Sequence, residues 1–323
     1  MREIQTHIKS INDIRQITKA MNLISAAKLK KARSQLEQAM PFFAKVKCTL
    51  SDIVRMDPSL SSIWLYDERK VLSGGADAAK DAAKDAAKGA DGEGGARKRA
   101  YLVIAGDKNL AGGYNVNVSK ATEQALAEDG GDHKLYVAGA IGYNHFIKRG
   151  YDVERDFIYQ VQSPNIYRAR DMAETLIGRF ISGEHDEVHV IYTRMVSSMS
   201  LAPERLKLFP IDSVSLLADP DVRQYHEERQ GKLEGGMTDA YAFEPSLESV
   251  IAMLVGKYAK GIIYGCLVEG YASEQSSRMA AMESATSNAD EMIQDLTLHY
   301  NRSRQSAITQ EISEIVGGAA ALE

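Results

Sequence analysis

Cysteine is nearly missing from this 323-residue chain. Cys48 and Cys266 are the only two, which excludes a disulfide scaffold and a multi-cysteine zinc module. Proline is scarce, with seven residues in all, so long stretches are free to stay helical. Net charge is −5, from 39 basic and 44 acidic residues, too mild for a nucleic-acid binder or an acidic tail. No run of about 18 apolar residues occurs, so a membrane span is not expected. The opening Met1–Lys9 has helical periodicity in place of an apolar signal core. What is left is a cytoplasmic type of protein, or one that reaches a membrane through partners.

The two ends of the chain share a pattern. Apolar residues fall at Ile4, Ile8, Ile11, Ile14, Ile17, Met21 and Ile24, then after a slip at Leu29, Ala32, Leu36, Ala39, Phe43, Val46, Leu50 and Ile53. The second series alternates steps of three and four, the seam of a left-handed coiled coil. Pro41 is expected to bend this helix or unpair one turn, and Pro58 to end it. At the other end Pro245 suits a first helical turn. Met279, Met282, Thr286, Ala289, Ile293, Leu296 and Tyr300 again alternate steps of three and four, followed by Ile308, Ile312 and Ile315. Helices of roughly 50 and 70 residues, about 75 and 105 Å long, need a partner for their seams. Each terminus supplies the other's, in an antiparallel hairpin whose register periodicity leaves open. Gly256, Gly261, Gly265 and Gly270 mark the expected place for curvature or close helix approach.

Residues 1–56 hold eleven basic and four acidic side chains, with Lys28, Lys30, Lys31 and Arg33 crowded together. Such a run is usually a solvated face; in an otherwise acidic chain it also fits an acidic protein surface opposite.

The middle predicts a small Rossmann-like domain over 100–211, a mostly parallel open sheet. Tyr101–Ala105, Lys134–Ala138 and Val188–Thr193 read as strands, with Leu206–Ile211 as one more. Helical stretches lie at Val116–Glu128, Ile141–Arg149 and Tyr167–Ile181. Residues 212–244 read as a loose connector. Residues 73–99, with three copies of Asp-Ala-Ala-Lys among glycines, read as a disordered low-complexity insertion. The fold class is therefore α/β plus a long antiparallel coiled coil, with helical segments 1–58 and 245–323 flanking the sheet.

Chemistry-bearing motifs are few. Val103–Asn115 is a strand, a glycine-bearing turn and a helix start, a geometry able to cradle phosphate. It matches neither a dinucleotide fingerprint nor a Walker A loop, and tight turn packing is the simpler reading. His185 and His189 flank Asp186 and Glu187 without further ligands and read as surface residues. Cys48 and Cys266 read as buried, inert thiols. Catalytic, cofactor-binding and metal-binding residues are all expected to be absent.

Ile11–Arg33, Ala272–Asp290 and Tyr300–Leu322 together resemble the terminal signatures of the F-type ATP synthase gamma subunit. Asp107-Lys-Asn-Leu-Ala-Gly-Gly-Tyr-Asn115 is similar to that family's middle motif, with Lys-Asn in place of Arg-Gly and Ala111 in place of cysteine. The resemblance implies a non-catalytic central-stalk rotor. Its coiled coil would stand inside a ring of alpha and beta subunits, and its α/β domain would contact the epsilon subunit and the c-ring. Proton-driven rotation of that ring would be coupled to conformational cycling of the catalytic beta subunits, during ATP synthesis or hydrolysis. By match, Arg304, Gln305 and Thr309 would meet a loop of beta, with Arg278 and Glu274 nearby. Met21 and the run Lys28, Lys30, Lys31 and Arg33 would face beta's moving acidic region. The implied setting is the cytoplasmic face of a bacterial plasma membrane, held there through the complex alone. The competing reading is a small α/β enzyme or nucleotide binder whose helices merely dimerise it.

Overall fold

The computed structural model describes residues 2–56, 62–66, 97–197, 200–230, 243, 244 and 246–320. In chain order the elements are α1 (Arg2–Met56), β1 (Leu65–Tyr66), β2 (Arg99–Ile104), α2 (Tyr114–Asp129), β3 (His133–Ala138), α3 (Ala140–Lys148), α4 (Ile166–Ile181), β4 (Glu187–Met195), β5 (Leu201–Phe209), β6 (Ile211–Asp212), α5 (Ser213–Ala218), α6 (Pro220–Gln230) and α7 (Leu247–Ala320). The expected insertion lies outside the described residues as far as position 96, and Arg99 already belongs to β2. The chain divides into a helical unit (Met1–Lys28, Leu110–Gly112 and Gln275–Glu323) and a sheet unit (Leu29–Asn109 and Gly113–Glu274).

In the sheet unit the strand order is β3–β2–β4–β5. β2 pairs in parallel with β3 and β4, and β5 pairs antiparallel with β4, so the sheet is mostly parallel, as the alternation of strands and helices predicts. Ala100 to Ile104 of β2 are all fully buried, as befits a central strand covered on both faces. β5 is longer than its apolar end implies, because Pro203 and the charged residues of its first half occupy an edge, where a missing N–H and outward side chains are tolerated. A short second sheet joins β1 to β6.

The parts of α1 and α7 in this unit belong to the same core as the sheet. Ala32, Val46, Leu50 and Ile53 of α1 share it with Ile251, Val255, Ala259, Ile263 and Leu267 of α7. The close approach expected along the α7 glycines is found at Gly261, where an added Cβ would run into the Phe43 ring. α7 contains an 18-residue window apolar enough by length and composition to cross a bilayer, at mean hydropathy 1.4, although no unbroken apolar run of that length occurs; half of it is buried inside the fold.

Of the expectations about the prolines, the connector and the two histidines, only the last two change. α1 continues as helix through Pro41 and ends at Met56. Pro245 lies outside the described residues; Ser246 caps α7 by accepting a hydrogen bond from the Ser249 N–H at 3.2 Å. Within the expected loose connector stand α5 and α6. Asp212 caps α5 by accepting from Val214 N–H and Ser215 N–H, each at 3.0 Å, while Leu216 and Val222 anchor the pair in apolar surroundings. Their many outward charges hid two short anchors.

His185 and His189, finally, are buried and not on the surface. His185 Nε2 lies 2.8 Å from Tyr136 Oη, and burial lowers its pKa. His189 stacks on Tyr101 beside Glu187. The Glu187 carboxylate, held by His189, Lys207 and Arg99, titrates well below the usual range. Burial likewise pushes the Cys48 and Cys266 thiols up, which keeps them protonated and inert.

Candidate functional site

α1 and α7 pair antiparallel in the helical unit, and their side chains fix the register that periodicity leaves open. Gln5 Nε2 donates to Tyr300 Oη at 2.9 Å, Arg15 Nη1 meets Asp290 Oδ1 at 2.9 Å, Thr18 Oγ1 lies 2.8 Å from Thr286 Oγ1, and Asn22 Nδ2 donates to Met279 O at 3.3 Å. Going up one strand is going down the other.

On α7 the expected seam is in place: Met282 and Ala289 are buried, with Met279, Thr286, Ile293, Leu296 and Tyr300 half-buried. On α1 the seam differs from expectation. Buried or half-buried positions run Ile4, Ile8, Ile11, Arg15, Thr18, Asn22 and Ser25, in unbroken steps of four and three that continue to Leu29 and Ala32. There is no slip. Ile14, Ile17 and Ile24, taken from the sequence as seam residues, are 51%, 59% and 54% exposed. One continuous helix keeps one phase, and the 3.5-residue repeat set by Leu29–Ile53 carries backward through polar residues that hydrogen-bond across the pair. The isoleucines are thereby turned outward.

Leu23, Met292 and Leu298 are also exposed. A two-stranded rod with a polar seam segment and large apolar side chains outside is a surface arranged for partners. Past the Gln5–Tyr300 contact α7 continues to Ala320, while α1 begins at Arg2. Ile308, Ile312 and Ile315, read from the sequence as further seam, are exposed there, Ile315 by 72%. Among the described residues no α1 strand stands opposite them.

Arg304, Gln305 and Thr309 sit together on this single-helix stretch, all exposed, with Thr309 Oγ1 donating to Gln305 O at 2.9 Å. Lys28, Lys30 and Lys31 are exposed on α1 and Met21 is half-buried. Arg33 is exposed too, with Nη2 2.7 Å from Met195 Sδ of its own chain. Glu274 and Arg278 are only 2% and 8% exposed, so little of either is left for a partner to touch. Steps of four along a helix reveal a face but not whether that face is covered.

The Asp107–Asn115 turn is fastened to its own surroundings. Asp107 accepts from the N–H groups of Val161 at 2.8 Å, Gln162 at 2.9 Å and Ala140 at 3.2 Å, and Asn115 Oδ1 accepts from Gly106 N–H at 2.8 Å. The Asp107 carboxylate is thus committed to backbone amides. Residues 110–112 instead serve the helical unit, where Ala111 O accepts from Ser277 Oγ at 2.7 Å. Leu110 at φ 65° and Gly112 at φ 55° make that loop turn. Nothing in the residue pattern separates this loop from the turn around it.

Comparison with known proteins agrees over the full length. A family described as ATP synthase matches residues 1–322. The chain is 45% identical to the ATP synthase gamma chain of Ruminiclostridium cellulolyticum, covering 100% of this chain and 99% of that protein. It is 36% identical to the sodium ion specific ATP synthase gamma chain of Acetobacterium woodii, covering 100% and 98%. In fold it is similar to a chain of the Euglena gracilis mitochondrial ATP synthase OSCP/F1/c-ring assembly, at a TM-score of 0.58, 15% identity and coverage of 99% and 94%. A chain of the Tetrahymena thermophila central stalk and c-ring matches at a TM-score of 0.51, 21% identity and coverage of 83% and 99%.

Proposed function

The chain belongs to the ATP synthase family, among its gamma chains, and we propose on that premise that it is the turning shaft through which ion flow drives nucleotide chemistry. A gamma subunit is a rotor component of the central stalk and not the catalytic one. In this reading protons turn the c-ring, the sheet unit takes up that rotation together with an epsilon subunit, and the paired helices turn within the alpha and beta subunits. The complex works at the cytoplasmic face of a bacterial plasma membrane, to which this subunit is bound through its partners.

The observation that carries the reading is the full-length match to gamma chains together with a rod that displays apolar side chains. A two-stranded coiled coil is stiff enough to transmit torque. Its asymmetry lets each rotor angle touch each beta subunit differently, and only a differential contact shifts a conformational equilibrium. At about 1.4 kcal/mol per tenfold change, a few contacts per subunit suffice. We assign those contacts to Arg304, Gln305 and Thr309, and to Met21 with Lys28, Lys30, Lys31 and Arg33. Glu274 and Arg278, being buried, would act by shaping the rod.

Sodium is the alternative coupling ion, raised by the Acetobacterium woodii relative. Reconstituted vesicles decide between them: proton uptake on ATP hydrolysis that is independent of sodium supports the proton reading, and sodium-dependent hydrolysis overturns it. Co-purification with alpha and beta subunits tests the rotor itself. Turnover or ligand-dependent stabilisation of the isolated chain, without such a complex, would favour the competing enzyme reading.

A further inference from the structure

Mostly parallel α/β sheets take their ligands in the crevice outside the carboxyl ends of the strands, where the chain's path reverses. Here the chain steps from β2 outward to β3 and returns to β4 on the other side of β2. The crevice therefore opens past the ends of β2 and β4. Pairing between these strands stops at Val103 with Ile191, while β4 continues to Met195. Beyond that point Gly106 N–H turns to Asn115 Oδ1. Val196 N–H bonds to Ser200 O across the turn into β5. Backbone groups alternate sides along a strand, so those of Thr193 and Met195 point the other way, to the side where β2 has ended.

α7 meets both of them. Ser273 Oγ, completely buried, donates to Thr193 O at 3.0 Å. Met195 N–H donates to Glu269 Oε1 at 3.2 Å. Ser273 and Glu269 are four residues apart and so lie on one face of the helix. Gly270 brings that turn close, since a Cβ added there would stand 3.1 Å from Ile104 Cγ2 at the end of β2. One turn of α7 thus does what a neighbouring strand or a bound ligand does in other sheets: its side chains complete the backbone bonding of β4. The kind of contact matters. Apolar packing resists separation but is non-directional, so a helix held by it alone can roll on its own axis. A hydrogen bond from a short side chain to a fixed peptide group holds one angle of roll.

We propose that this crevice is a keyway for the chain's own helix, and that Glu269 and Ser273 are positioning residues which stop α7 rolling on the sheet. α7 is a single helix from Leu247 to Ala320, so a twist applied to the sheet enters the helix at this turn. The torque-bearing role rests on the rotor reading above; the contact itself does not.

Amide exchange in the full free chain tests the contact. The Met195 N–H should exchange slowly in the unmodified chain and about tenfold faster in Glu269→Met, which has no carboxylate to accept it. In Glu269→Gln, whose amide oxygen still accepts, the rate should stay as in the unmodified chain. An unaltered rate in Glu269→Met overturns the proposal. If that variant does not fold, the unmodified chain decides, and a Met195 amide exchanging at the rate of an unprotected one overturns it. Vesicles carrying the assembled complex test the role. Glu269→Met combined with Ser273→Ala should lose ion pumping against an opposing gradient while retaining ATP hydrolysis, and Glu269→Gln should keep both. Unchanged pumping in the double variant, or an equal loss in Glu269→Gln, overturns the torque-bearing role. A chain that never assembles with alpha and beta subunits sinks the rotor reading instead, and the Met195 rate still decides the contact.

Discussion

α1 hides its apolar side chains in one unit and displays them in the other. In the sheet unit Leu50 and Ile53 vanish into a core shared with α7 and the strands. In the helical unit Ile14, Ile17, Leu23 and Ile24 face outward while Arg15, Thr18, Asn22 and Ser25 occupy the seam. The sheet unit draws its stability from its own interior. The helical unit spends its apolar surface on the outside, where burial waits for another molecule, so its residues should matter more in the assembled complex than in the free chain.

The sharpest test of that contrast is Leu102→Ala at a fully buried position of β2, expected to destabilise the sheet unit by about 3–4 kcal/mol in denaturant unfolding. Next is Glu187→Gln, expected to cost about 2 kcal/mol near neutral pH, since it removes a charge with four cationic or imidazole neighbours. Because the Glu187 pKa is depressed, its stabilisation is present above the ordinary value of 4.5 and fades as pH falls below it. The unmodified chain and the variant should therefore converge in acid, and a gap that widens there would break the account. In the rod, Thr18→Val combined with Thr286→Val should change stability by less than about 1 kcal/mol, since both hydrogen-bond partners leave together.

The smallest effect on the free chain is expected from Ile17→Ala, within about 0.5 kcal/mol. The same substitution should lower the yield of complex with alpha and beta subunits, and an unchanged yield would remove the exposed stripe from the interface. Met21→Lys sharpens the comparison in the complex, where it should impair coupling of ion flow to ATP turnover more than assembly. Unchanged coupling would count against the contact assigned to Met21.

The parts of the fold that obey one rule at a time were legible. Tyr101–Ala105 is a continuous apolar run and became a central strand; Leu29–Ile53 is an unbroken heptad and became a seam. Where two rules compete the reading slipped. The spacing of Ile14, Ile17, Met21 and Ile24 mimics a seam, and only the phase of the whole helix reveals that polar residues hold that place. α6 was hidden because charged contacts such as Lys47 with Asp219 need a tertiary partner to be recognised. Among the site residues, Arg304, Gln305 and Thr309 stand exposed on one short stretch, while the burial of Arg278 is a property of packing that no local spacing encodes.

Each helix behaves as a dipole with about half a positive charge at its start and half a negative charge at its end. Where α1 and α7 run side by side in opposite directions these fields largely cancel. Beyond Tyr300 α7 proceeds alone, and Glu311 and Glu314 lie in its closing turns before Ala320. The tip is thus an anionic pole that no antiparallel helix offsets among the described residues, and donors or cations gathered around it would centre it without gripping any single side chain.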